Sequence, residues 1–174
     1  MKAVVVYQSL WGNTESVARA IAKGLGKGAK ALTTTEATAD ALKGVDLVVA
    51  GSPIHAFNLP SEATVKGAAD RPDSYGDAPP DTSQRLMRDW LADLPRGLGA
   101  SAAAFDTGVS GPLGRGGASR IIKGLKKAGL EPIAKPMGFR VSMRTTETTR
   151  KGFLLDGEVE RAREWGTELA ALLG

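Results

Sequence analysis

The sequence contains no cysteine and only one histidine, His55. The absence of cysteine excludes disulfides, thiolate metal sites, iron–sulfur clusters and cysteine nucleophiles. A single histidine argues against a Ser-His-Asp triad and against a metal site built from several histidines. We therefore predict no catalytic triad and no bound metal.

Long apolar runs are also missing. No stretch approaches the roughly 18 consecutive apolar residues of a transmembrane helix, and no cationic segment with a cleavage site surrounds the first apolar run, which starts at Ala3. We expect neither a membrane span nor a signal peptide, and we expect a cytoplasmic protein.

The overall composition is that of a globular protein. Of the 174 residues, 42% are apolar and 24% are charged, which predicts one domain over residues 1–174. The net charge of +4 is concentrated in residues 115–151, which carry ten Lys and Arg against two Glu. Because aromatic residues do not alternate with these cations, we predict no nucleic-acid partner. A solvated face and a docking surface for an acidic partner or a phosphate-rich ligand both stay open.

Apolar runs alternate with helical periodicities along the chain. Apolar and β-branched runs predict strands at 3–7, 29–32, 45–50 and 100–105, and an interrupted last strand at 132–135 and 138–143. Three- and four-residue spacings predict a helix through Val17, Ile21 and Leu25, a helical turn at 37–42, and helices at 62–69, 86–94, 118–128 and 158–173. The alternation predicts an α/β fold with a five-stranded parallel sheet and helices on both faces.

Three loops follow the carboxyl ends of the predicted strands, at 8–14, 51–59 and 106–117. In such sheets ligands bind at this edge. The first loop combines Ser9, Asn13 and Thr14 with a turn at Gly12, a pattern that predicts an anion cradle at a helix start. It has neither the lysine of a Walker loop nor a G-x-G-x-x-G spacing, so a phosphate monoester fits best. The alternative is that Ser9 and Thr14 only cap the helix.

The segment Ser-Leu-Trp-Gly-Asn-Thr at 9–14, between a Val-rich strand and a helix, resembles the FMN-phosphate loop of the flavodoxin family, [ST]-x-x-G-[NT]-T. Gly-Ser-Pro-Ile-His-Ala-Phe at 51–57 and Phe-Asp-Thr at 105–107 look like the family's second and third flavin loops. Residues 152–165 are similar to the final segment of actinobacterial-type flavodoxin-domain proteins. The resemblance covers nearly the whole chain and implies a flavodoxin-like three-layer sandwich.

The resemblance also implies FMN as cofactor and a set of site residues. The first loop would hold the phosphate through Ser9, Leu10, Trp11, Gly12, Asn13 and Thr14. The second loop would line one side of the flavin through Pro53, Ile54, His55, Ala56 and Phe57. The third loop would line the other side through Asp106, Thr107 and Gly108.

Two features depart from the family pattern. Ala56, Phe57 and Asn58 occupy the place where the family often has a glycine whose peptide changes its hydrogen bonding on flavin reduction, and of these Asn58 tolerates a positive φ best. The third loop lacks the tyrosine that stacks on the flavin in many flavodoxins.

His55 is either a donor or proton shuttle beside the flavin, or a partly buried loop residue. Three cations of the predicted helix at 118–128 are expected on its surface, away from the flavin: Arg120, Lys126 and Lys127.

The resemblance implies an FMN-binding electron carrier between a reductase and an acceptor, in which the protein tunes the cofactor. The alternative is an FMN enzyme in its own right, an NAD(P)H:quinone or protoporphyrinogen-type oxidoreductase with a quinone-like substrate. A third reading is a cofactor-free binding module on the same fold. Typical flavodoxins are acidic and dock onto basic partners, so this basic chain is expected to have a different partner surface.

Overall fold

A computed structural model describes residues 1–55, 57–71, 79–111, 116–143 and 152–174. Its centre is a parallel sheet with the strand order β2-β1-β3-β4-β5, in which β6 continues along β4 beyond β5. The strands are β1 (Ala3–Tyr7), β2 (Ala29–Thr33), β3 (Leu47–Pro53), β4 (Ser101–Val109), β5 (Glu131–Pro132) and β6 (Met137–Val141). The predicted interruption of the last strand is confirmed by the short β5 and β6. The order 2-1-3-4-5 is one of the common orders of doubly wound sheets.

Five helices connect or flank the strands in the described part of the chain: α1 (Asn13–Leu25), α2 (Glu62–Ala69), α3 (Met87–Ala92), α4 (Gly117–Lys127) and α5 (Glu158–Ala171). The turn predicted at 37–42 is present as a single turn, in which Leu42 N donates to Thr38 O at 3.2 Å. Helix α2 lies where a short helix was predicted, and the Ser61 hydroxyl caps it by accepting from Thr64 N at 3.3 Å.

Alternate residues of the central strands are buried on opposite faces of the sheet. On one face, Val4 and Val6 of β1 belong to an apolar cluster with Trp90 and Ile121, from the side of α3 and α4. On the other, Val5 belongs to a cluster with residues of α1 and α5, including Trp165. The prediction of a sheet between two helical layers is therefore confirmed.

Strand β4 is longer than the sequence predicted. Residues 106–109 were expected in a loop, but they pair in parallel with 138–141 of β6. They lie in the strand because β4 is bordered by β3 on one side and by β6 on the other, so its backbone groups find ladder partners on both sides. This extension brings Thr107 and Gly108 to the edge where the first two loops also emerge. Within the described ranges, no helix has the length and apolar character needed to cross a bilayer.

Candidate functional site

The first loop turns sharply at Gly12, which has a φ of 84° and precedes the first residue of α1. A left-handed φ favours glycine because it lacks a Cβ. The Ser9 hydroxyl accepts from Gly12 N at 3.1 Å and closes the turn. Two hydrogen bonds connect the loop to residues 81–84: Ser9 N donates to the Gln84 amide oxygen at 2.8 Å, and Asp81 N donates to Leu10 O at 2.7 Å. Residues 81–84 thus support the first loop.

The amino terminus of α1 has no side-chain cap. The alternative that Thr14 caps this helix is wrong, because Thr14 is buried and its hydroxyl lies 2.7 Å from that of Thr107 in β4. Ser9 binds the turn at Gly12 and does not cap the helix. The first N–H groups of a helix have no intrahelical acceptor, and together with the helix dipole they attract anions. The loop therefore provides neutral donors for an anion.

The Asn13 side chain makes two hydrogen bonds that the sequence did not predict. Its amide nitrogen donates to Gly152 O at 2.5 Å, and its amide oxygen accepts from Leu154 N at 3.2 Å. These two bonds connect the first loop to the segment before α5. The side chain therefore holds two segments of the protein together, and Asn13 also lines the cleft.

The second loop makes a tight turn after β3. His55 and Asn58 exchange two backbone hydrogen bonds, at 2.9 and 3.0 Å. Phe57 has a φ of 68°, so Phe57, and not Asn58, takes the left-handed conformation. This is unusual for a bulky residue and marks local strain. Ala56, also predicted in the site, lies outside the described residues.

His55 lines the cleft next to Trp11, and the two ring centroids are 6.1 Å apart with the planes tilted by 38°. Burial lowers the pKa of His55 below its ordinary value of 6.5 because the charged form loses hydration. The imidazole is therefore neutral at pH 7. A neutral imidazole carries one N–H donor and one acceptor.

Asp106 lies under the cleft and does not line it. Its carboxylate is buried and accepts from Ala118 N at 2.8 Å, at the start of α4. Burial raises the pKa of Asp106, while the hydrogen bond from Ala118 and the charge of Arg140 oppose that rise. This carboxylate therefore already provides an acceptor at the amino terminus of α4.

The three loops enclose one open cleft. Its empty volume, including the space at its opening, is about 580 Å³. Ten of the fourteen predicted residues line it: Ser9, Leu10, Trp11, Asn13, Thr14, Pro53, Ile54, His55, Thr107 and Gly108. Gly12 shapes the turn behind the cleft, and Phe57 is exposed at 46% beside it. No Lys, Arg, Asp or Glu is among the described residues that line the cleft.

Three lining residues were missed by the sequence reasoning: Val109, Val141 and Gly152. Val109 was missed because the end of β4 was placed too early. Val141 and Gly152 belong to the carboxyl-terminal part of the chain, where Val141 forms an isolated bridge with Leu154. The resemblance of residues 152–165 to a family segment was the available signal, but it did not indicate a contact with Asn13.

The expectation about α4 is wrong for one residue. Arg120 is exposed, as predicted, but its guanidinium donates to Phe57 O at 3.3 Å and so contacts the second loop. Lys126 and Lys127 lie exposed at the other end of the helix. In the described part of the chain, no three His, Cys, Asp or Glu residues cluster in a way that would hold a metal ion.

Comparison with known proteins identifies the fold. No family model and no curated protein sequence matches the chain. Among solved structures, it is similar to a C101S mutant of flavodoxin from Pseudomonas aeruginosa, with a TM-score of 0.65 and 21% identity over 99% of both chains. It is similar to oxidised flavodoxin 1 from Bacillus cereus, with a TM-score of 0.64 and 19% identity over 100% of both chains. The flavodiiron protein from Giardia intestinalis matches over 36% of its own length, with a TM-score of 0.58 and 16% identity.

Proposed function

We propose that this chain, which has the flavodoxin fold, binds FMN in the cleft and carries electrons between redox partners. The observation that supports this most directly is the uncapped amino terminus of α1 behind the Gly12 turn, at a cleft whose described lining carries no Lys, Arg, Asp or Glu. The full-length likeness to flavodoxins supports the same proposal at the level of the fold.

The phosphate end of FMN fits the first loop. The dianion would be held by the backbone N–H groups at the start of α1 and by the hydroxyls of Ser9 and Thr14. Thr107 supports Thr14 from β4 through their 2.7 Å contact. The described lining contains no carboxylate that would hold a magnesium ion, so a phosphate monoester fits this donor set better than a metal–nucleotide complex.

The ring end of FMN fits the rest of the cleft. Its described lining is mostly apolar or aromatic and includes Trp11, His55 and the ends of β4 and β6. Such walls bury a flat aromatic ring and limit the access of water. The neutral His55 offers a hydrogen bond to the ring without adding a charge. Bound FMN would supply the redox chemistry, and the chain would set its potential through these contacts.

We propose protein redox partners, a reductase and an acceptor, and a cytoplasmic setting. The cleft is open on one side, which suits electron exchange at an exposed ring edge. The exposed Phe57 lies beside this opening.

Titration of FMN fluorescence with the purified apoprotein tests the proposal. We expect saturable quenching with one FMN per chain. Riboflavin, which lacks the phosphate, should bind at least about tenfold more weakly, because a hydrogen bond to a charged group contributes about 1.5–3 kcal/mol. Equal affinity for the two flavins would contradict the phosphate site, and no binding of either would leave the cofactor-free module as the function.

The enzyme alternative is tested with the same preparation. A carrier loaded with FMN should not oxidise NADH or NADPH with a quinone unless a reductase is added. Sustained turnover by the purified chain alone would show that it is an oxidoreductase in its own right.

A further inference from the structure

Helix α4 carries a row of cations along its exposed side. Arg120, Lys123 and Lys127 follow one another at spacings of three and four residues, so they share a face, and Lys126 lies next to them. All four are exposed, and the helix contains no acidic residue. We call these four residues the α4 cation face.

The cations of this face have no carboxylate partners among the described residues. Six ion pairs form within residues 1–55, 57–71, 79–111, 116–143 and 152–174, and none of them includes a cation of α4. Two further cations, Arg88 and Arg96, line the groove between α3 and α4 together with Lys127. The positive region therefore extends beyond the helix.

This region begins at the cleft. A Cβ on Gly117, the first residue of α4, would lie 2.8 Å from the side chain of Ile54, which lines the cleft. Three residues later, Arg120 donates to Phe57 O. The cation face thus runs from the second loop, beside the cleft opening, toward the far end of α4.

Helix α5, on the opposite face of the sheet, has a different charge balance, with four Glu and two Arg. It exposes Glu160, Glu164 and Glu168, and within the described ranges Glu160 alone of these forms an ion pair, with Arg163. Since α4 and α5 cover opposite faces of the sheet, the helix next to the cleft opening is more positive than α5 on the other face. Such a separation of charge orients a charged partner before contact.

We propose that the α4 cation face, with the exposed Phe57 at its end, is the docking surface for an acidic region of a redox partner protein. This inference rests on the proposed function, because electron exchange requires the partner to approach the cleft opening. An acidic protein surface complements the row of cations, and Phe57 offers an apolar anchor next to the ring. A nucleic-acid strand fits less well, since α4 contains no aromatic residue on which bases would stack.

The surface is tested without FMN by NMR titration of the ¹⁵N-labelled chain with a short polyglutamate peptide at about 0.1 M salt. We expect shifts of amides in α4 and around Phe57. The double variant Lys123→Glu/Lys127→Glu should weaken binding at least about tenfold, because electrostatic attraction of this kind changes association by about 10–1,000-fold.

The matched control is Lys27→Glu/Lys30→Glu, which changes the net charge equally at the β2 edge of the sheet, away from β4. Its binding should stay within about twofold of the original chain, since exposed charges beyond about 10 Å are screened at 0.1 M salt. Equal weakening by both double variants would overturn the proposal. If the far-ultraviolet circular dichroism shows that the α4 variant does not fold, Lys123→Gln/Lys127→Gln is used in its place. This variant must also bind the peptide more weakly than the original chain.

A second measurement uses the FMN-loaded, reduced chain and two small oxidants of opposite charge, hexacyanoferrate(III) and hexaammineruthenium(III). The rate with the anion should fall as salt is added, and the rate with the cation should rise. The opposite pattern would overturn the location of the surface at the cleft opening.

The outcomes separate the two proposals. Shifts confined to α4 in a chain that binds no flavin would reject the proposed function but leave the acidic-partner surface supported. Flavin binding without any shift of α4 amides would reject the surface alone. A single-stranded oligonucleotide that shifts the same amides at lower concentration than polyglutamate would assign the face to a nucleic acid and overturn the acidic-protein partner.

Discussion

At the scale of single residues, the main feature of the site is the left-handed Phe57. A non-glycine residue in this conformation costs about 1–3 kcal/mol, and it persists only when its surroundings hold it. The two backbone bonds between His55 and Asn58 and the hydrogen bond from Arg120 hold the turn. The second loop therefore stores strain beside the proposed flavin.

The strain in this turn gives a prediction about two variants of Phe57. Both Phe57→Ala and Phe57→Gly remove the half-exposed ring, but only glycine removes the penalty of a positive φ. We expect Phe57→Gly to have a free energy of unfolding about 1 kcal/mol higher than Phe57→Ala. Urea denaturation of the two variants measures this difference. At most positions an alanine variant is more stable than a glycine variant. The same order at position 57 would contradict the turn geometry.

His55 gives a second prediction at this scale. Its pKa is lowered in the folded chain, so as the pH falls the unfolded chain, with a pKa near 6.5, takes up the proton first. The free energy of unfolding should therefore be independent of His55 above about pH 7 and should decrease below pH 6.5, by up to about 1.4 kcal/mol per pH unit.

Comparison of the apoprotein with His55→Asn between pH 8 and 5 isolates this contribution, because the carboxylates titrate in both proteins. The variant should lose less stability than the original chain on acidification. Because the sequence has one histidine, its imidazole NMR signal also reports the pKa directly. Parallel stability curves and a pKa at or above 6.5 would contradict the burial of this ring.

At the scale of elements, the close crossing of α1 and α5 depends on two glycines. A Cβ on Gly24 of α1 would lie 1.9 Å from Arg163 O, and a Cβ on Gly166 of α5 would lie 2.3 Å from Ile21 O. Each glycine lets the backbone of one helix approach that of the other. This crossing positions α1, whose amino terminus forms the proposed phosphate site.

We therefore expect Gly166→Ala to lower the free energy of unfolding by about 1–3 kcal/mol, because an extra methyl in a packed contact forces the helices apart. The matched control is Gly67→Ala in α2, where a Cβ would meet nothing within 4 Å. That change should stabilise the chain by up to about 1 kcal/mol, through the higher helix propensity of alanine. Thermal or urea denaturation distinguishes the two signs, and stabilisation by both would contradict the close crossing.

The link between the first loop and the segment before α5 gives another prediction. Asn13→Ala removes the hydrogen bonds to Gly152 and Leu154, so it should cost about 1–2 kcal/mol of stability and speed hydrogen exchange of the Leu154 amide. It should also weaken FMN binding. Ser16→Ala, which removes a bond to Gly12 O in the same turn, should leave exchange at Leu154 unchanged. Equal exchange in the two variants would show that Asn13 does not hold this segment.

At the scale of the whole molecule, the core and the cleft are built from different residues. The two apolar clusters on the sheet include none of the described residues that line the cleft. We therefore expect the chain to fold without a cofactor, and FMN to add stability through binding to the folded state alone.

At an FMN concentration about 100-fold above its dissociation constant, the free energy of unfolding should rise by about 2.7 kcal/mol. Urea denaturation with and without FMN measures this increase, and riboflavin at the same concentration should produce a smaller one. A chain that unfolds at the same urea concentration with and without FMN would contradict specific binding in the cleft.

Much of the architecture was predictable from local patterns. The β-branched run at 3–7 and the helical spacing of Val17, Ile21 and Leu25 each depend on neighbours within a few residues, and both elements are where they were expected. The end of β4 was not predictable in this way. Residues 106–109 are in a strand because they pair with β6, about 30 residues further along, and because the first two of them also pair with β3.

The sequence alone determined the order of strands and helices, the uncharged first loop at a helix start, and the basic balance of residues 115–151, because short-range periodicity and composition encode these properties. The tertiary structure decided the rest. The Asn13 amide donates to Gly152 O, 139 positions away, the Asp106 carboxylate accepts from Ala118 N, and Phe57 takes the left-handed conformation. These features depend on which backbone groups meet in space. Their energies come from long-range packing and hydrogen bonding, which no local pattern of residues specifies.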